Sequence, residues 1–157
     1  MATSALQQEL RQKRPFQSPA HEAVVALMRT ADLVRRQVAA LVQPYGVTPQ
    51  QFNVLRILRG AGADGLPTLE VADRMIEQTP GVTRLLDRLE AKELVRRQRC
   101  PKDRRQHLCW ITPKGLAVLQ KLDAVSARAQ EETMKGLRAK DRVTFIRLLA
   151  AIRAAHQ

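Results

Sequence analysis

Aromatic residues make up only 3% of this 157-residue chain, with one tryptophan, one tyrosine and three phenylalanines. Base stacking on aromatic platforms is therefore excluded as the main mode of any nucleic-acid binding. Two cysteines are too few for a disulfide framework, and their scarcity suits a reducing, cytoplasmic setting. No apolar run approaches the ~18 residues needed to cross a membrane. The opening stretch MATSALQQELRQKRPF lacks the apolar core of a secretory signal. Acidic residues are scarce as well: 15, against 27 lysines and arginines, for a formal net charge of +12. That balance attracts polyanions and opposes self-association. The length and the 45% apolar share fit one globular domain with a sizeable core.

The cations are not spread evenly. Arg96, Arg97, Arg99, Lys102, Arg104 and Arg105 face only Asp103 between Leu94 and Arg105. A membrane-surface helix would set such residues along one face of an apolar stripe. This stretch contains Pro101 and reads as strand and turn, which favours nucleic acid over a lipid surface.

Residues 1–19 read as a polar arm or a short helix ended by Pro15 and Pro19. From His21 to Gln43, Val24, Leu27, Met28, Ala31, Val34, Val38, Leu41 and Val42 recur in steps of three and four, which predicts a long amphipathic helix. Pro44 and Gly46 close it, and Thr48–Pro49 opens a second helix burying Phe52, Leu55, Ile57 and Leu58. Thr68 is the predicted cap of a short third helix carrying Leu69, Val71, Ala72 and Met75. Thr79–Pro80 is the predicted opening of a fourth, with Val82, Leu85, Leu86 and Leu89 inward. Leu94–Arg99 and His107–Thr112 then predict a hairpin with a basic tip. Pro113 starts a fifth helix with Leu116, Leu119, Leu122, Val125 and Ala129 on one side. A last helix, from about Lys140 to Ala155, is expected to turn Val143, Ile146, Leu149 and Ile152 inside.

Two short helices followed by a hairpin make a winged helix-turn-helix, whose second helix suits the DNA major groove. Thr79, Pro80, Gly81, Thr83, Arg84 and Arg88 stand on or before the outward face of that helix. They are small residues or hydrogen-bonding ones, and an arginine there reaches a guanine edge or a phosphate. Lys102, Arg104 and Arg105 lie at the hairpin tip, which suits a narrow, strongly negative minor groove. Thr68 joins these candidates. Asp103 reads as an internal partner that orients a neighbouring arginine. Arg96, Arg97 and Arg99 alternate faces along a strand, so ion pairs within the chain compete with phosphate for them.

Residues 79–115, TPGVTRLLDRLEAKELVRRQRCPKDRRQHLCWITPKG, resemble the core of the MarR (multiple-antibiotic-resistance regulator) family of winged helix-turn-helix repressors. The most specific part is Asp103-Arg104-Arg105 followed by Ile111-Thr112-Pro113-Lys114-Gly115. The resemblance implies a mainly α fold with a small β-hairpin wing. It also implies one domain over residues 20–157: a DNA-binding lobe at about 48–112, with dimerisation helices at about 20–43 and 113–156. It further implies a homodimer on pseudo-palindromic double-stranded operators, with Arg105 in the minor groove and Arg104 on the backbone. A pocket for a small phenolic or aromatic effector is implied too, with Met28, Phe52, Arg56 and Trp110 as candidates. Where the family commonly has glycine after the recognition helix, this chain has Glu93. A left-handed cap strains a residue with a Cβ, so a different helix end and a shifted wing are expected.

Other chemistry finds less support. Cys100, His107 and Cys109 lack the further ligands of a structural zinc site, and strand packing is the favoured reading of both cysteines. His21 and His156 read as surface or interface residues. No catalytic constellation, metal site or cofactor is expected, because phosphate-cradling glycine loops and nucleophile elbows are missing. A nucleic-acid enzyme and a winged helix that docks protein or RNA are the competing classes.

Overall fold

The computed structural model describes residues 4–78, 80–101, 103 and 106–156, and its chain divides into two compact units, 1–40 and 41–157. In the first unit, Ser4 caps a single helical turn, α1 (Ala5–Glu9), by accepting the Gln7 N–H. Glu9 pairs with Arg29 on the long helix α2 (Pro19–Val42) at 2.9 Å. His21 stacks edge-on against Phe16 and accepts the Gln17 N–H through Nδ1, so its contacts are local.

The second unit starts with α3 (Pro49–Ala61), whose Thr48 cap is better built than the sequence suggested. Thr48 Oγ1 accepts the Gln51 N–H, and Gln51 Oε1 accepts the Thr48 N–H in return. Leu66–Pro67 forms a short strand, β1, that the sequence reading left out. Then follow α4 (Thr68–Asp73), α5 (Val82–Ala91), β2 (Val95–Arg99), β3 (His107–Ile111), α6 (Pro113–Thr133) and α7 (Ala139–Ala154). The sheet is antiparallel in the order β1-β3-β2, with Arg97 opposite Cys109 and Leu66 on that residue's other side. Helix α3 packs against α5, α6 and β3, while α5 packs against α4 and β2. Val54, Leu55, Leu58, Val71, Leu86, Leu89, Val95, Cys109, Leu119 and Leu122 form the buried core.

Several expectations are corrected here. Thr68 does not cap α4; Pro67 holds that place, and the Thr68 hydroxyl donates to the His107 carbonyl at 3.3 Å, tying the helix to β3. Leu69 is 75% exposed, because a helix of under two turns buries only Val71. Helix α5 opens at Val82 rather than at Thr79–Pro80, since Gly81 turns the backbone left-handed (φ +100°) and leaves Pro80 in the preceding turn. Leu116 is 43% exposed instead of inward. Helix α7 buries nothing: Val143, Ile146 and Ile152, expected inside, are exposed.

Glu93 is the most informative correction. It adopts the left-handed conformation (φ +61°) that glycine takes with ease, so α5 ends as a glycine-capped helix would. The Leu94 N–H reaches back to the Leu89 carbonyl at 3.0 Å and the Glu93 N–H to the Glu90 carbonyl at 2.8 Å. A left-handed residue with a Cβ costs about 1–2 kcal/mol. Three contacts work against that strain. The Thr112 hydroxyl donates to the Glu93 carbonyl at 2.7 Å, and Lys114 pairs with the Glu93 carboxylate at 2.8 Å, which holds that carboxyl below its ordinary range. Gly115, one residue on, lets α6 approach so closely that a Cβ there would collide with the Leu94 carbonyl.

Candidate nucleic-acid interface

Helix α5 divides its surface in a way fixed by 3.6-residue periodicity. Val82, Leu86 and Leu89 point into the core, and Leu85 is half-buried beside them. Thr83, Arg84, Asp87 and Arg88 are exposed, with Pro80 and Gly81 exposed just before the helix begins. Arg84 and Arg88, one turn apart, line an open groove of ≈ 610 Å³ together with Thr48, Gln51, Pro80 and Leu85. Among the described residues, neither guanidinium has a hydrogen-bond or ion-pair partner, so both cations are available to an anion.

The opposite flank of the helix is acidic and already engaged. Arg97 on β2 extends to Asp87 at 2.5 Å and to Glu90 at 2.7 Å through Nη2, and its Nε donates to Glu90 at 2.9 Å. The Arg97 backbone N–H also donates to Glu90, at 3.1 Å. Burial draws the Arg97 guanidinium pKa down, but the hydrogen bonds and charges of Glu90 and Asp87 outweigh it and raise it overall. Lys92, at the end of α5, is exposed but engaged within the chain: its Nζ donates to the Gly46 carbonyl at 2.6 Å and to Gln51 at 3.2 Å.

The wing stands next to this helix. Arg96 lies over the Trp110 ring at 4.4 Å, and the indole Nε1–H donates to the Ala63 carbonyl at 2.9 Å. Arg99 is exposed at the outer end of β2, where the Cys100 N–H donates to the Gln106 carbonyl at 2.9 Å. The Asp103 carbonyl accepts from the Gln106 N–H at 3.0 Å. Cys109 is buried against Thr68, and burial pushes its thiol pKa up, away from the reactive thiolate. Of the proposed DNA contacts, Thr79, Lys102, Arg104 and Arg105 lie outside the described residues. So do the arginines that Asp103 was expected to orient.

The candidate effector-pocket residues of the second unit stand at opposite ends of α3. Phe52 is buried in the first turn of that helix with Arg56 over its ring at 5.7 Å. Trp110, on β3, is tied instead to the Ala63 carbonyl, beyond the C-terminal end of α3. Met28 is 66% exposed on α2, in the first unit. None of the four lines the groove beside α5. Among the described residues no cluster of three or more His, Cys, Asp or Glu side chains could hold a metal, and no helix is long and apolar enough to cross a membrane.

Sequence reasoning named the outward arginines and expected ion pairs within the chain among the strand arginines, but did not name Asp87 and Glu90 as the partners of Arg97, nor the bonds of Lys92 to Gly46 and Gln51. Spacing alone indicates that Asp87 and Glu90 share a flank of α5. It does not say that β2 runs beside that flank, because the helix-to-strand packing is set by the core.

Comparison with known proteins places this geometry. The MarR family model matches residues 47–107, which hold α3, the helix-turn-helix and the wing up to the start of β3. The transcriptional regulator MhqR of Bacillus subtilis is 30% identical over 95 residues, 60% of this chain, and the match spans 64% of MhqR's own length. The crystal structure of a MarR transcription factor from Planctomyces limnophilus superposes with a TM-score of 0.68 at 34% identity, covering 87% of this chain and 98% of that one. BpsR of Bordetella bronchiseptica, whose DNA binding is regulated by 6-hydroxynicotinic acid, superposes with a TM-score of 0.70 at 28% identity, covering 84% and 98%. With a third of its residues shared with the Planctomyces protein across nearly the whole of that structure, the chain belongs to the MarR family.

Proposed function

We propose that this protein is a homodimeric, sequence-specific regulator of transcription that binds double-stranded DNA and acts as a repressor. The observation that carries the reading is the partition of α5. One side is locked into the core, and the other presents Thr83, Arg84 and Arg88 as exposed donors beside a basic hairpin. Such a helix fits a major groove, where donors and acceptors on base edges distinguish the four pairs. Arg84 and Arg88 take base or phosphate contacts, with Pro80 and Gly81 close to the backbone. Thr68, Thr79 and Lys102 add phosphate contacts. Arg104 is assigned to the backbone and Arg105 to the adjacent minor groove, on the strength of the Asp103-Arg104-Arg105 motif.

Dimerisation is supported by the apolar residues of α7, which stay exposed along its length. Two heads related by a twofold axis read pseudo-palindromic half-sites about one helical turn apart. The role is binding rather than catalysis, and the protein works without a cofactor. An aromatic effector regulates it by preferring a head spacing that mismatches DNA, as differential affinity requires. The regulation of BpsR by 6-hydroxynicotinic acid supports that reading.

Selection of bound duplexes from a random pool tests the proposal, and a symmetric motif is the expected result. Random or single-stranded winners would defeat it. On the selected site, Arg84→Ala lowers affinity by about 1–3 kcal/mol at fixed salt, and an unchanged affinity removes α5 from the interface.

A further inference from the structure

The recognition helix is, by itself, electrically neutral: Arg84 and Arg88 are balanced by Asp87 and Glu90. A neutral helix is a poor start for binding a phosphate polymer, and two carboxylates near that polymer repel it. The fold separates the signs. The arginines lie on the flank facing the groove next to α3, and the acids lie on the flank facing β2.

Arg97 is the residue that meets the acids. It is 18% exposed, and Nε and Nη2 are taken up by Glu90 and Asp87. A fork of this kind fixes both distance and angle, which a lysine in the same place does not. Arg97 is the middle residue of β2, paired with the buried Cys109 on β3, whose neighbour Thr68 ties the strand to α4. The clamp therefore joins the centre of the hairpin to the recognition helix. Buried Val95 and Cys109 and the pairing with β1 hold the base of the hairpin, and the clamp adds the side-chain link that fixes the central part of β2 against the acidic flank of α5.

We propose that Arg97 is a positioning residue for DNA recognition, which sets the angle between α5 and the wing and neutralises the acidic flank of the helix while making no contact with DNA. This inference rests on the DNA-binding reading above. It assigns a share in setting the angle between the two reading elements to the Arg97 fork, which spans the helix and the strand.

The test uses the full chain and a selected duplex in two lengths, one complete and one trimmed of the flanking base pairs that a wing would reach. Wild type is expected to lose about tenfold in affinity on trimming, the loss of a minor-groove arginine contact. Arg97→Met binds the complete duplex about tenfold more weakly than wild type, and trimming changes its affinity by less than about twofold. The double variant D87A/E90A removes both acceptors, breaks the same clamp from the helix side and shows the same insensitivity to trimming, so the comparison stands even if Arg97→Met fails to fold. Combining it with Arg97→Met recovers part of the lost affinity, because the repelling acids are gone, but not the response to trimming.

A merely stabilising Arg97 lowers the melting temperature and leaves the trimming response of folded protein intact; that result overturns the proposal. An Arg97 that touched phosphate directly would lower the salt dependence by about one unit and keep the trimming response, which overturns it equally. A wild-type protein indifferent to trimming leaves the wing without a role and ends the proposal while sparing α5. Failure of the wild type to bind any duplex defeats the DNA-binding reading and this inference with it.

Discussion

Helices α5 and α7 draw on the same residue types, and their fates are opposite. Each mixes aliphatic residues with arginines, and each lies in the compact unit formed by residues 41–157. Helix α5 buries Val82, Leu86 and Leu89 against α3, α4 and β2. Helix α7 buries none of its residues, and Val143 and Ile146 remain 69% and 64% exposed. What holds α7 to its own chain is mostly polar: Arg142 donates to the Leu137 and Met134 carbonyls and pairs with Glu131 at 2.6 Å. Exposed aliphatic residues with nothing in the chain to bury against, Val143, Ile146, Leu148 and Ile152 here, suit a contact beyond the chain. The contrast teaches that α5 is stabilised by its own fold and leaves its polar side exposed, whereas α7 leaves its aliphatic residues exposed.

The contrast is broken or sharpened by substitution. The largest effect is expected at Leu86, which is fully buried. Leu86→Ala destabilises the protein by about 2–5 kcal/mol in denaturant titration, through lost burial and a cavity. A loss under about 1 kcal/mol would mean that α5 is not anchored as described. A smaller effect, of a different kind, is expected on α7. Ile146→Glu shifts the monomer–dimer equilibrium in sedimentation by about 2 kcal/mol towards monomer, as a charge on an interface core does. Dimers of unchanged strength would place the interface elsewhere.

The smallest effect is expected at the link between α3 and α6. Arg59 donates to Asp123 at 2.5 Å and 3.3 Å, and this holds the Asp123 carboxyl below its ordinary range. A carboxyl with a lowered folded-state pKa stabilises above its unfolded value of about 3.9, and the contribution is lost as pH falls through the folded value. Both side chains are well exposed, so solvent screening keeps the contribution below about 1 kcal/mol. Asp123→Asn should therefore lower stability slightly at neutral pH and converge with wild type once the pH falls below the lowered range of the Asp123 carboxyl. Parallel pH curves for the two proteins would show that the pair contributes nothing.

Glu93 illustrates where local rules and tertiary packing diverge. Reading the chain alone, a glutamate at a left-handed cap argues for a different helix end. The fold keeps the glycine-like ending because Thr112 and Lys114, at the start of α6, hold Glu93 from outside the helix. Their help depends on α6 returning to that turn, which no property of residues 82–93 announces. Leu69 shows the converse: its spacing suggested burial, yet α4 is too short to bring it against the core.

Periodicity and caps alone determined the run of long helices, the two strands of the hairpin and the inward row Val82, Leu86, Leu89, because hydrophobic spacing and N-caps act within a few residues. Residue type alone also made Arg84 and Arg88 candidates for an anion. Only the tertiary structure decided which charges are engaged: Lys92 is bonded to Gly46 and Gln51, and Arg97 to Asp87 and Glu90, while Arg84 and Arg88 have no partner among the described residues. The physical reason is that charge pairing depends on distances of a few ångströms between segments, and those distances are set by how the shared core packs.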